Sequence, residues 1–432
     1  MKEKKEQIIS RENREVPDFS KGILTEEILW YFGRVTTPKL SPDGQQLLFG
    51  VKYFDYHANK GNLELYTMPI TGGEPIKITT TAQDEIEAIW RPDGKKIAYL
   101  FPDKEGVLQI WESNPDGKEL KQISHEKSDI TAFSYSPTQS HIMYSQNVRL
   151  DPTIAERYPD LPEANAKIYD DLMYRHWNSW ADGTYSHLFV APYPSLENPV
   201  DLLKGEKFQA PLPPFGGMEQ VTWSPDGKKL AYCCKQSFGK TFAESTNSDI
   251  FIYDLKTGNT TNISSFNLGY DLDPVFSPNG NYIAWLSMEK PGFESDKKRI
   301  IIHDFNSETT VDYSTTFDYS AENLVWNDKS NTLYFLSTIA ATNQIFELNL
   351  DLKRITLLTQ GDHDYNSLLF AKDRLITTKT THAFPTEIFS ISLQDNKETQ
   401  LTFTNQPILD KITMGKTEKK IVKTTDGKDM LV

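Results

Sequence analysis

Cysteine is nearly absent from this 432-residue chain: Cys233 and Cys234 are its only two. They are neighbours in a strand-like run, Leu230 to Lys235, where successive side chains point to opposite faces, so a mutual disulfide would be strained. Both are expected as free thiols. Two cysteines give no disulfide framework and cannot by themselves build a structural zinc site. Long apolar runs are missing too. No stretch of about 18 apolar residues occurs, which leaves no membrane span. The charged start, Met1 to Glu27, lacks the apolar core of a signal peptide, so the chain as written reads as cytoplasmic, or periplasmic if an export signal was removed. A basic surplus is lacking as well. The net charge of -14 argues against nucleic acid, whose phosphates need a basic face. An acidic surface favours solubility and cationic groups such as a peptide's α-amine.

Catalytic signatures are equally scarce. No Gly is followed two residues on by Ser, so the Gly-x-Ser-x-Gly nucleophile elbow is absent. The eight histidines are scattered and form no His-Glu-x-x-His pattern. No Gly-rich loop is placed to cradle phosphate. The chain's own residues thus supply no catalytic group, no metal site and no cofactor.

What the sequence does contain is a repeat. The turn signature Ser41-Pro42-Asp43-Gly44 recurs as Arg91-Pro92-Asp93-Gly94, Ser224-Pro225-Asp226-Gly227 and Ser277-Pro278-Asn279-Gly280, with degraded copies at Ser136, Asn327 and Ala371. Pro fixes φ, Asp or Asn bonds back to the backbone, and Gly takes positive φ, so each copy reads as a hairpin turn. The copies start at 41, 91, 136, 224, 277, 327 and 371, in steps of 44 to 53 residues with one of 88. A second count uses the later half of each unit, an alternating strand, a polar turn and a short strand. It gives Leu65 to Thr79, Ile110 to Ser124, Leu188 to Leu203, Ile250 to Ser264, Ile300 to Ser314, Ile345 to Thr359 and Ile388 to Thr402. Both counts reach seven. Four short strands at this spacing predict an all-β, seven-bladed β-propeller of four-stranded antiparallel blades. Every blade is expected from contiguous chain, with no strand exchange at the ring's seam. Trp90, Trp223, Trp285 and Trp326 are expected as core between blades. The propeller is placed at 23–409, after a charged tail at 1–22.

The double step locates a helical or irregular insertion in the third blade, about 147–187. Its end, Ile168 to Trp180, mixes carboxylates, an arginine and aromatics, and reads as a helix with Leu172, His176 and Ser179 on one face. A bare ring needs no such excursion, and one rich in aromatics and charge suits a ligand or a partner domain. Asp170 and Asp171 are candidates to pair with a peptide's ammonium group. Arg175 is a candidate to grip a carbonyl or carboxylate, with His176, Trp177 and Trp180 beside them. The alternative is a surface flap whose aromatics merely cover a neighbouring blade. Asp249, Asp296 and Arg299 read as loop-fixing groups.

These motifs resemble those of the prolyl oligopeptidase family of serine peptidases, in its bacterial dipeptidyl-peptidase 5 and acylaminoacyl-peptidase branch. The residues that carry the resemblance are Asp170 to Trp177, Ser245 to Ile250, Gly292 to Asp296, Thr316 to Tyr319 and Gln360 to Tyr365. It covers the chain from about Ile23 onward. It implies a C-terminal α/β-hydrolase domain carrying a Ser-Asp-His triad, of which 410–432 looks like a linker and first hairpin. The whole protein would then release dipeptides from peptide N-termini, with this propeller gating the site and binding peptide substrate. The chain alone would be inactive, and a homodimer stays open. A free-standing TolB-like propeller acting as an interaction scaffold is the alternative from another class. A third reading, an enzyme site in the central channel, needs carboxylates or histidines converging there.

Overall fold

In the computed structural model, which describes residues 8–432, seven antiparallel sheets follow one another along the chain. The first seven residues of the charged tail lie outside the described residues. Blade 1 runs from Arg34 to Lys77, with its innermost strand split into Arg34–Val35 and Lys39–Leu40. Blade 2 spans Ile86–Trp90 to Lys121–Gln122, and blade 3 spans Ile130–Tyr135 to Val200–Asp201. Blades 4, 5, 6 and 7 begin at Val221, Asp271, Glu322 and Asp364 and end at Asn262, Asp312, Leu357 and Gln400. Each is a four-stranded meander in chain order, so no blade borrows a strand from another.

The turn signature works through its first residue as much as through Gly. Ser41 Oγ donates to Asp43 Oδ1 at 2.6 Å and accepts the Gln46 amide at 2.8 Å. Ser224 and Ser277 repeat this geometry on Lys229 and Tyr282, and Asn327 Oδ1 accepts the Thr332 amide. Where Gly is lost, Gln139, Ser330 and Lys372 hold positive φ instead, a conformation that L-residues adopt at some cost.

The Ser or Thr closing each repeat has an equally local purpose. Its hydroxyl accepts the amide of the residue that opens the third strand, 14 positions earlier: Thr79 from Leu65, Ser124 from Ile110, Ser264 from Ile250, Ser314 from Ile300, Thr359 from Ile345 and Thr402 from Ile388. A buried amide that the short outer strand cannot reach is thereby satisfied. Blade 3 departs, with Leu203 at this position. There the buried His187 lies between Asp201 and the Glu206 carbonyl, 3.0 Å from each.

Side chains close the ring where strands do not. Leu47, Phe49 and Met68 of blade 1 share a core with Ile376, Ile388 and Leu401 of blade 7 and its outgoing chain. Asn405 clasps the seam, donating to the Gly33 carbonyl at 2.9 Å while its Oδ1 accepts the Gly33 amide at 2.8 Å. Between blades, Trp223, Trp285 and Trp326 are buried as expected, and Trp90 is half-buried. Cys233 and Cys234 are free and buried. Asp296 accepts the Glu289 and Lys290 amides, the loop-fixing work foreseen for it.

Strand pairing in blade 3 runs out to Arg149 and Thr184, so the excursion that leaves the ring is 150–183. It is irregular, but the stretch read as a helix is not one. Its only helix is the capped turn Ile154–Arg157, and Arg175–His176 pairs with Ser179–Trp180 in a hairpin. Met173 and Trp177 take positive φ, which breaks any helical run, and aromatic side chains favour the pleated form.

Strand alternation gives the ring two unlike faces. The Pro-Asp-Gly turns and the turns between third and fourth strands form one, here termed the turn face. The links between blades, the loops between second and third strands and both flanking segments form the other, the loop face. All twelve exposed Phe, Tyr and Trp side chains among the described residues belong to loop-face segments, from Trp30 and Tyr56 through Trp177 and Phe215 to Phe403. Exposed apolar residues at the turn face are aliphatic and isolated, such as Ile76, Leu120 and Leu352.

Candidate functional site

The excursion from blade 3 leans toward the loop 235–248 of blade 4, and a cavity of about 660 Å³ lies between them. Two polar anchors hold its base. Asp151 accepts Lys207 Nζ at 2.5 Å and the Tyr185 hydroxyl at 2.8 Å, and Arg149 donates to the Asp182 carbonyl at 2.8 Å. Above them Tyr169, Tyr174 and Trp180 gather with ring centroids 5.7 to 6.2 Å apart, and the Tyr169 hydroxyl donates to the Ala181 carbonyl.

The far wall is blade 4. Asp171 lies against Gly239, where a Cβ would stand 2.2 Å from its Oδ2, and Gly239 also has φ +61°. The positive φ favours glycine there, and a Cβ would also push the exposed Asp171 carboxylate aside. His176 meets the edge of Phe242 at 6.0 Å, and burial, then nearby Lys235, lower its pKa. Lys235 is itself buried, and among the described residues no carboxylate bonds to it, Glu294 acting only at longer range. Its Nζ donates to the Phe242 and Ser245 carbonyls and lies 3.9 Å from the Phe242 ring centroid. Burial pushes its pKa down to about 8.

Four of the six candidates read from the sequence, Asp170, Asp171, His176 and Trp180, line this cavity. Asp170 is exposed and 4.0 Å from Arg157 Nη1. Arg175 and Trp177 lie outside the lining. Arg175 packs over the Trp180 ring and donates to the Trp177 carbonyl, while Trp177 meets Phe215 edge-on at 5.1 Å. The sequence reading missed the blade 4 side of the cavity, Phe238 and Phe242, with Lys235 packed against Phe242, and Lys207. Only the glycine of Gly239-Lys240, an unusual residue just inside a short helix, hinted at a close approach there.

The innermost strand of blade 5 carries a smaller cluster. Asp273 takes φ +52° in a bulge of blade 5's innermost strand. Burial, then Glu219, push its carboxyl up to about 7, and Lys298 pairs with Glu322 at 3.2 Å beside it. No group of three metal-ligating side chains occurs among the described residues.

Known proteins share this architecture. The chain is 36% identical over 410 residues to dipeptidyl-peptidase 5 of Porphyromonas gingivalis, covering 94% of this chain and 60% of that protein. It is 33% identical over 415 residues to dipeptidyl-peptidase 5 of Porphyromonas endodontalis, covering 95% and 60%. The chain thus spans about 60% of the length of these curated relatives. Among solved structures, acylaminoacyl peptidase of Pyrococcus horikoshii superposes with a TM-score of 0.71 at 16% identity, over 93% of this chain and 57% of that one. The propeller domain of the trilobed protease of Pyrococcus furiosus, described as having an open velcro topology, superposes at 0.57 and 15% identity, over 87% and 98%. With its ring unlatched by strand exchange and residues 24–182 and 220–410 matching the family model, the chain belongs to the TolB beta propeller domain family.

Proposed function

We propose that this chain is the substrate-facing, non-catalytic propeller of a serine exopeptidase that releases N-terminal dipeptides, its loop face covering an α/β-hydrolase domain that follows in the same polypeptide. The observation that carries this reading is the segregation of every exposed aromatic to one face, the face from which both flanking segments leave the ring. An exposed aromatic patch of that kind marks a surface made to be covered, since isolated globular surfaces seldom keep one. The relatives' name, dipeptidyl-peptidase 5, supplies the reaction, and their greater length supplies room for the domain.

The cavity beside the excursion opens on the same face. Asp170 and Asp171 offer carboxylates to a peptide's ammonium group, and Tyr169, Tyr174 and Trp180 offer apolar walls for its side chains. A ring that encloses the active site admits extended peptides and excludes folded proteins by size. Kinetics on the polypeptide extended past Val432 test this. Asp171→Asn should raise KM for dipeptide chromogenic substrates about tenfold with kcat little changed, the signature of lost ground-state and transition-state binding together. An unchanged KM in the Asp170 and Asp171 variants alike returns the excursion to a surface flap. A scaffold role would instead show a soluble propeller with no hydrolase sequence after it.

A further inference from the structure

Consecutive blades are joined by the chain itself, but blades 7 and 1 are not, and no strand is exchanged between them. Residues 8–32 are packed at this seam. Ile9 and Ser10 are buried, Arg11, Glu12 and Asn13 turn outward, and Arg14 is buried again. Asn13 folds the turn, its Oδ1 accepting the Ser10 amide at 2.7 Å and the Ser10 hydroxyl at 3.0 Å. Ile9 belongs to the apolar cluster that joins Phe49, Tyr53 and Met68 of blade 1 to Ile376 and Ile388 of blade 7. Arg14 is the second anchor. Its guanidinium lies 4.1 and 4.7 Å from the ring centroids of Tyr31 and Tyr53. Its Nη1 donates to the Tyr31 carbonyl at 2.9 Å and the Phe54 carbonyl at 3.3 Å. The same segment also reaches the chain's exit. Ile28 and Phe32 are buried against Ile408, the Thr413 amide donates to the Gly22 carbonyl at 2.8 Å, and Lys411 Nζ lies 4.8 Å from the Phe19 ring centroid.

We infer that residues 8–32 form a strap that locks the ring at the seam between blades 1 and 7, and that its release opens the ring there and loosens the outgoing chain with it. An exchanged strand would hold a seam through a ladder of backbone hydrogen bonds. The strap holds it through one apolar side chain, one guanidinium stacked on aromatic rings and two carbonyls, so it leaves without breaking a sheet. Local opening of this kind draws on the least cross-linked part of a structure, and the seam is the junction that the chain itself does not bridge. Because 19–32 pack on 408–413, the strap ties the state of the seam to the position of the chain that leaves the ring. The inference concerns the ring by itself and stands apart from the peptidase reading.

Two buried methionines give the test. Met68 lies in the seam cluster, and Met143 lies in the core of blades 3 and 4 as an internal control. Each is oxidised by dilute peroxide only when its surroundings open, and mass spectrometry reads the sulfoxide at each position. In the 432-residue protein Met68 should oxidise at least about tenfold faster than Met143, because seam opening precedes unfolding. Equal rates overturn the inference, and this arm needs no variant. Arg14→Ala removes the anchor to Tyr53 and Phe54 at the far end of the strand Gln46–Asp55, since Met68 pairs with Leu47, so it makes no void beside Met68. It should speed Met68 oxidation at least about tenfold more and leave Met143 unchanged. No change at Met68, or equal acceleration at both, overturns the strap. Hydrogen exchange of the Thr413 amide should quicken in the same variant, and an unmoved rate overturns the tie to the outgoing chain.

Discussion

At the scale of single residues, the chain is held by hydroxyls and carboxylates placed where strands run out. Ser124 Oγ accepts the Ile110 amide and donates to Gln109 Oε1, all three groups being buried. Ser124→Ala leaves the buried Ile110 amide without its partner, while Gln109 Oε1 keeps the Glu126 amide, and should cost about 1–3 kcal/mol, read by denaturant unfolding against an exposed control such as Ser307→Ala. Glu85 gives a pH signature. It is 1% exposed, its Oε1 accepts from Thr81 at 2.6 Å, its Oε2 has no hydrogen-bond partner among the described residues, and burial raises its pKa from 4.5 to about 7. The folded state therefore holds this proton more tightly than the unfolded one. Its contribution to stability is fully present below about pH 4.5 and is lost as pH rises through about 7. Glu85→Gln, which cannot lose a proton, should be more stable than the parent at pH 8 by about 1–3 kcal/mol, with the gap closing toward pH 5. A gap that is constant across this range would contradict the assignment.

At the scale of elements, the blades were legible and the excursion was not. A turn such as Ser224-Pro225-Asp226-Gly227 states its geometry within a few residues, and the Ser or Thr 14 positions after each third-strand start marks a bond made inside one blade. Local chemistry of this kind survives in sequence. The stretch 168–180 offered only composition, because its conformation is set by partners far along the chain: Gly239 under Asp171, Phe242 beside His176 and Phe215 beside Trp177. Nothing near residue 175 announces a surface at 215 or 242. For the same reason the cavity's blade 4 wall escaped notice, while four of its excursion residues did not. Since strand pairing is complete out to Arg149 and Thr184, replacing 150–183 with a short turn should leave the ring folded, its melting temperature within a few degrees of the parent. Gly239→Ala, by contrast, sets a Cβ against Asp171 at a positive φ and should loosen the excursion without unfolding the ring. Faster amide exchange confined to 168–182 and 236–245 would report it.

At the scale of the whole molecule, the ring has one polar, turn-built face and one aromatic, loop-built face, and the second is where the chain enters and leaves. The cavity walled by the excursion opens there. The family accounts for the ring, and the aromatic face is what asks for a partner. The central claim is that this face is covered in the working protein. Hydroxyl-radical footprinting of the 432-residue chain, compared with the polypeptide extended past Val432, tests it most directly. The account predicts strong protection of Trp30, Tyr56, Trp177 and Phe215 in the longer protein, with Ile76, Leu120 and Leu352 on the turn face unchanged. Equal labelling of those aromatics in both proteins, or protection that falls on the turn face, would contradict it.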